Sequence, residues 1–114
     1  MTGGVRRAAI ALALGLGMAG AGAKAETFTS AEFLTQNEAA QTSFIEISIT
    51  MAATVATQAN PAIARCIDEW YFEDKPRQEQ RNRHIVSVMR QYPDYHPSGV
   101  ILAVIQKACG SFKK

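Results

Sequence analysis

Hydrophobic and polar positions alternate along this chain with helical periods. Thr29-Ser30-Ala31-Glu32 has the form of a capping box, in which a Thr hydroxyl and a Glu carboxylate satisfy each other's backbone N–H groups. Phe28 and Phe33 flank it as a hydrophobic staple, so a short first helix is predicted over about residues 30–36. From Glu38 to Gln58 two periods compete. Ile45-Glu46-Ile47-Ser48-Ile49-Thr50 alternates like a half-buried strand, but only over those residues. At 100° per residue, Phe44, Ile45, Ile49, Met51, Ala52 and Val55 share one broad face, with Glu46, Thr50, Ala53 and Thr57 on the other, and this longer pattern predicts a helix.

Asn60-Pro61 then reads as an N-cap followed by proline at the first helical position. Ile63, Ile67 and Trp70 recur at helical spacing, with Cys66 adjoining. Glu73-Asp74-Lys75-Pro76 ends that segment, and Asp74 caps the next helix. There Ile85, Val88, Met89 and Tyr92 form an apolar stripe, and Glu79 and Arg83 are placed to pair at i,i+4. Arg77 and Arg81 lie near one edge of the stripe while Arg83 and Arg90 point away. The four arginines are split between faces, which describes a solvated surface rather than a binding strip. Tyr92-Pro93-Asp94-Tyr95-His96-Pro97 is a turn. In the last helix Val100, Ile101, Leu102, Val104, Ile105 and Ala108 cover most of the circumference, leaving Gln106 and Lys107 as a polar edge, which marks the central helix of a bundle. Gly110 supplies its stop. The expected fold is all-α, a small bundle of four to five helices.

Composition changes the picture at the N-terminus. Arg6 and Arg7 precede an uncharged apolar stretch, Ala8 to Gly22, and Ala23-Lys24-Ala25 places small residues at a cleavage site. That is the layout of a secretory signal peptide over 1–25, cut at Ala25–Glu26, with a single helical domain over 26–114. A transmembrane anchor needs ~20 apolar residues, more than this Gly-rich run offers. The formal charge of the whole chain is +2. Arg6, Arg7 and Lys24 leave with the leader, so nine basic residues remain against all ten acidic ones and the balance turns to −1. No nucleic-acid footprint survives. The chain is read as periplasmic or secreted, with no membrane span after cleavage.

Export gives the two cysteines, Cys66 and Cys109, their meaning: an even count in a small exported chain favours a disulfide. It would tie the last helix back to the segment around Cys66. The competing readings are a reactive thiol paired with His84 or His96 and a metal site built from these four residues. Nothing local marks a nucleophile, and the spacings are long and irregular for a metal. No cofactor is implied.

These features carry a resemblance. Phe28-Thr29-Ser30-Ala31-Glu32-Phe33-Leu34 follows the leader. Later come a Cys, a stretch "Arg…His-Ile-Val-Ser-Val-Met…Tyr-Pro-Asp-Tyr-His-Pro", and a terminal "Val-Ile-Leu-Ala-Val-Ile-Gln-Lys-Ala-Cys-Gly". Over most of residues 27–110, and most clearly over 66–110, the chain resembles the Rap/Tai-type immunity proteins of type VI secretion systems, and more distantly the HdeA acid-stress chaperones. The resemblance implies a small periplasmic all-helical protein with a cystine between helices, carried here by Cys66 and Cys109. Many relatives have another Cys near the first helix, in a pattern like Cys-x-x-Phe-Leu; here Ser30 or Ala31 stands in its place.

Three functions follow as expectations. The first is a non-enzymatic periplasmic binding protein, resembling an immunity protein that neutralises a secreted, cell-wall-directed effector. Its partner would be a protein, and the aromatic group Trp70, Tyr71, Phe72, Tyr92 and Tyr95 offers the contacts; the competing reading puts Trp70 and Tyr92 in the core, which leaves Tyr71, Phe72 and Tyr95 as the partner-binding surface. The second is an HdeA-like chaperone, a homodimer loosened by carboxylate protonation. The third, an enzyme using Ser98 with His96 or Cys66 with His84, is set aside because no nucleophile elbow, Cys-x-x-Cys, metal histidine pair or phosphate loop is present.

Overall fold

The computed structural model describes residues 28–113. The leader expected over 1–25 lies outside the described residues. The fold is an all-α bundle of five helices with one disulfide: α1 (Ser30–Phe33), α2 (Glu38–Ala59), α3 (Pro61–Ile67), α4 (Lys75–Gln91) and α5 (Pro97–Cys109). A π-helical turn, Asp68–Phe72, extends α3.

Local chemistry sets each boundary. At α1 the capping box is complete, with the Glu32 amide donating to Thr29 Oγ1 at 3.2 Å and the Thr29 amide to Glu32 Oε1 at 3.3 Å. The helix is shorter than expected, because Asn37 must be extended to cap α2. Gln41 reaches back over the intervening turn, its Nε2 donating to the Leu34 and Gln36 carbonyls. Phe28 and Phe33 both meet the ring of Phe44, at centroid distances of 6.4 and 5.1 Å, so α2 relays the staple. The first amides of α1, which no helical partner can satisfy, donate to the α4–α5 turn: Ser30 to Tyr95 O at 2.7 Å and Ala31 to Pro93 O at 3.0 Å.

Asn60 separates α2 from α3, but its side chain caps neither; its Nδ2 donates to Lys113 O at 3.3 Å. Asp74 does cap α4, accepting from the Arg77 amide at 2.8 Å. Among the described residues the one ion pair is Arg77 with Asp74, at 4.0 Å. The expected Glu79–Arg83 pair is not formed; both side chains stay in water, where such a pair contributes little. Gly110 ends α5 at φ +101°, a conformation that L side chains rarely adopt.

The core runs along the centre of the bundle. Phe33, Ile45 and Ile49 meet Ile85 and Met89 of α4 and Ile101 and Ile105 of α5. The helix α5 is central but not encircled: Val100, Ile101, Val104 and Ile105 are buried, while Leu102 and Ala103 face water. The face expected on α2 also divides. Ile45 and Ile49 are buried, whereas Met51 and Val55 are exposed, since α4 and α5 cover only part of its circumference. Cys66 and Cys109 form the expected cystine, Cα–Cα 5.7 Å, joining α3 to the end of α5. Among the described residues no helix is long and apolar enough to cross a membrane.

Candidate functional site

The π-helical turn decides which aromatic side chains reach the surface. A 3.6-residue period places Trp70 inside after Ile63 and Ile67. The wider i→i+5 turn admits one more residue, so the buried series becomes Ile63, Ile67, Tyr71. Tyr71 has no exposed surface, which removes it from the partner-binding residues expected above. Its hydroxyl donates to Asn82 Oδ1 on α4 at 2.7 Å. Burial pushes its phenol above the ordinary pKa near 10, and the hydrogen bonds to Gln78 and Asn82 offset part of that rise.

Trp70 turns to the half-buried flank of the turn. Two α4 arginines hold it there by satisfying carbonyls at the end of the π segment. Arg77 Nη1 donates to Glu69 O at 2.8 Å and Arg81 Nε to Trp70 O at 2.9 Å. The Arg81 guanidinium also lies 5.4 Å from the indole centroid, within cation–π reach. Arg77 and Arg81 therefore support the turn, and Arg83 and Arg90 stand exposed on α4.

Trp70 forms one end of a groove of about 470 Å³ between α4 and α5. Val88 on α4 and Tyr92 just past its end face Ala103, Val104 and Ala108 on α5, while His84, Ser87, Gln91 and Lys107 line the remainder, and no carboxylate lines it. Tyr92, expected in the core, is 49% exposed, because α4 ends at Gln91 and the chain leaves the stripe's direction there. It stacks edge-to-face on Tyr95, which is 61% exposed, at 5.5 Å between centroids. The pair sits on a braced turn: the Tyr95 carbonyl accepts from the Ser30 amide and from Ser30 Oγ, at 2.7 and 2.8 Å. The site is therefore a shallow apolar trough with Trp70 at one end and a fixed tyrosine pair at the other.

No family model, curated protein or solved structure matches this chain.

Of the residues expected to bind a partner, Tyr95 joins this surface through Tyr92. Phe72 is exposed but stacks on Tyr71 at 4.9 Å and does not line the groove. Trp70 and Tyr92 are the members that periodicity assigned to the core. One signal was present: Trp70-Tyr71-Phe72 are consecutive, and a helix cannot bury all three. One member of each pair considered for nucleophilic chemistry has a structural role. His96 Nδ1 accepts from the Ser98 backbone amide at 3.1 Å, capping α5, and Cys66 is oxidised. Among the described residues no three His, Cys, Asp or Glu side chains converge as metal ligands.

Proposed function

We propose that this is a non-enzymatic periplasmic binding protein, acting like the Rap/Tai-type immunity proteins that neutralise a secreted effector by covering it. The observation that supports this reading is the α4–α5 groove, with Trp70 at one end and the Tyr92–Tyr95 pair at the other, on a disulfide-stapled scaffold. Trp and Tyr present large amphipathic contact area and are enriched among the residues that dominate binding energy. Their fixed positions lower the entropy lost on docking. The chaperone reading draws less support: the single described ion pair is exposed, so acid has little cohesion to remove from the monomer.

The test is inhibition of a cell-wall hydrolase toxin delivered by the secretion system of the same cell. The protein should bind the toxin and block its hydrolysis of peptidoglycan, and Trp70→Ala with Tyr92→Ala should weaken binding at least ~100-fold, as loss of two central aromatic contacts does. No binding to any such toxin, or binding indifferent to both substitutions, would falsify the assignment.

A further inference from the structure

Charge is unevenly distributed along the chain. Between residues 28 and 74 one arginine stands against seven carboxylates, whereas between 75 and 109 six basic residues stand against two acidic ones, Glu79 and Asp94. The groove between α4 and α5 therefore lies on the positive part of a nearly neutral molecule, and neither Glu79 nor Asp94 lines it. Its own lining repeats the bias. Lys107 and the His84 imidazole face it, and the Arg81 guanidinium lies 5.4 Å from the indole centroid at the Trp70 end. Among the described residues Lys107 forms no ion pair, since the one that exists joins Arg77 to Asp74. Around these cations the walls are apolar, Val88 on α4 and Ala103, Val104 and Ala108 on α5. A cleft lined by one sign of charge between low-dielectric walls concentrates its field.

We infer that the groove takes an acidic, partly apolar segment of a protein partner: a carboxylate of the segment pairs with Lys107 and accepts from His84, and the apolar side chain beside it packs on Trp70 and Val88. The inference rests on the groove being a protein-binding surface, as proposed above, and names the chemistry of what binds there. Apolar cover alone would bury the Lys107 ammonium without a partner, a penalty that a carboxylate removes. A basic segment would meet like charge at Lys107 and Arg81, which opposes docking. A bare inorganic anion would satisfy the lysine but leave the apolar walls and the indole uncovered. The occupant that matches every part of the lining carries both chemistries, as an amphipathic peptide segment does.

Trp70 is the only tryptophan in the chain, so its emission reports this groove alone. The probe is a short peptide of two Glu-Leu-Glu blocks joined by Gly-Ser-Gly, titrated against the exported protein to about 2 mM beside counterparts with Gln or Lys in place of Glu. The Glu peptide should shift the emission and bind at least ~10-fold more tightly than the Gln peptide, the preference shrinking between about 0.05 and 0.5 M salt. The Lys peptide should not bind. Lys107→Glu should abolish the preference, while Arg65→Glu, a charge reversal at an exposed position of α3 outside the groove, should keep it. Melting and far-UV circular dichroism of Lys107→Glu report that the fold survives, as expected for an exposed site. Equal binding of the Glu and Gln peptides, no binding of either, or a preference that survives Lys107→Glu or high salt overturns the inference. So does an emission shift with phosphatidylglycerol vesicles and none with the Glu peptide, which would assign the cations to a lipid surface. The toxin assay separates this from the effector reading: an acid preference with no toxin bound keeps the inference and removes that reading, and a toxin bound equally by the wild type and Lys107→Glu does the reverse.

Discussion

Tyr71→Phe separates the π-turn register from the regular helical one. The ring stays, so no cavity opens; the hydroxyl goes, and with it the 2.7 Å bond to Asn82 Oδ1. A net hydrogen bond is worth about 1 kcal/mol, and leaving the half-buried Asn82 oxygen unpaired raises the loss to about 1.5 kcal/mol at neutral pH. In a domain of this size that lowers Tm by roughly 6–12 °C. The variant should gain in relative terms at high pH. In the wild type the native phenol holds its proton above the ordinary pKa near 10, while the unfolded one ionises. The native state then binds more protons, so this group's contribution is intact below pH 10 and is lost as pH rises towards the raised native value, at up to ~1.4 kcal/mol per pH unit. Tyr71→Phe lacks that loss, so the two stabilities converge above pH 10. Urea unfolding at pH 8 and in steps above pH 10 measures both effects, and absorbance at alkaline pH should show a late-titrating phenol missing from the variant. Truncation adds a ranking: Tyr71→Ala should cost about 3–5 kcal/mol, the range for a buried aromatic, and Trp70→Ala distinctly less. Equal melting of wild type and Tyr71→Phe, or the reverse ranking of the alanine variants, would refute the register.

Two further outcomes follow from the same framework. Cys66→Ser with Cys109→Ser opens a loop whose ends are separated by 43 residues, and chain entropy puts the loss at about 4 kcal/mol; urea unfolding of oxidised and substituted protein measures it, and an intact mass short of two hydrogens confirms the bond. Arg81→Met frees the Trp70 carbonyl and strips the cation from the indole, so stability should fall by about 1–2 kcal/mol with a shift in tryptophan emission, while an unchanged emission would show that the guanidinium does not fix the ring.

Periodicity located α2, α4 and α5 because each carries a run of core positions long enough to average out local exceptions. The caps at Thr29 and Asp74 were equally legible, since capping depends on a few adjacent residues. The cystine was legible from the even cysteine count together with the expectation of export. Sidedness was not. The π turn inserts a residue where a 3.6 period has no way to register one, so Tyr71 is fully buried while Trp70 packs half-buried against the edge of the core. Tyr92 extended the α4 stripe on paper, but the stripe ends at Gln91, and a helical projection does not record where a helix stops. On α2 the apolar residues surround the axis, and only the arrangement of α4 and α5 settles which of them are covered.

These failures of pattern share a direction. Most bring a large apolar side chain to the surface where burial was the expectation: Tyr92 beside Tyr95, Met51 and Val55 on α2, Leu102 on α5, with Trp70 left half-buried at the turn. Scattered apolar exposure is ordinary on a small protein and needs no cause. Here the exposed side chains collect along two seams, α4–α5 and α2–α5, and leave the polar faces of the same helices undisturbed. Arg77 and Arg81 brace the backbone of the turn that carries Trp70, and Ser30 braces the backbone at Tyr95. Local rules tend to break where a surface is used. The two seams, α4–α5 and α2–α5, are where the exposed apolar side chains of the bundle gather, because two neighbouring helices there leave part of each other's apolar circumference uncovered.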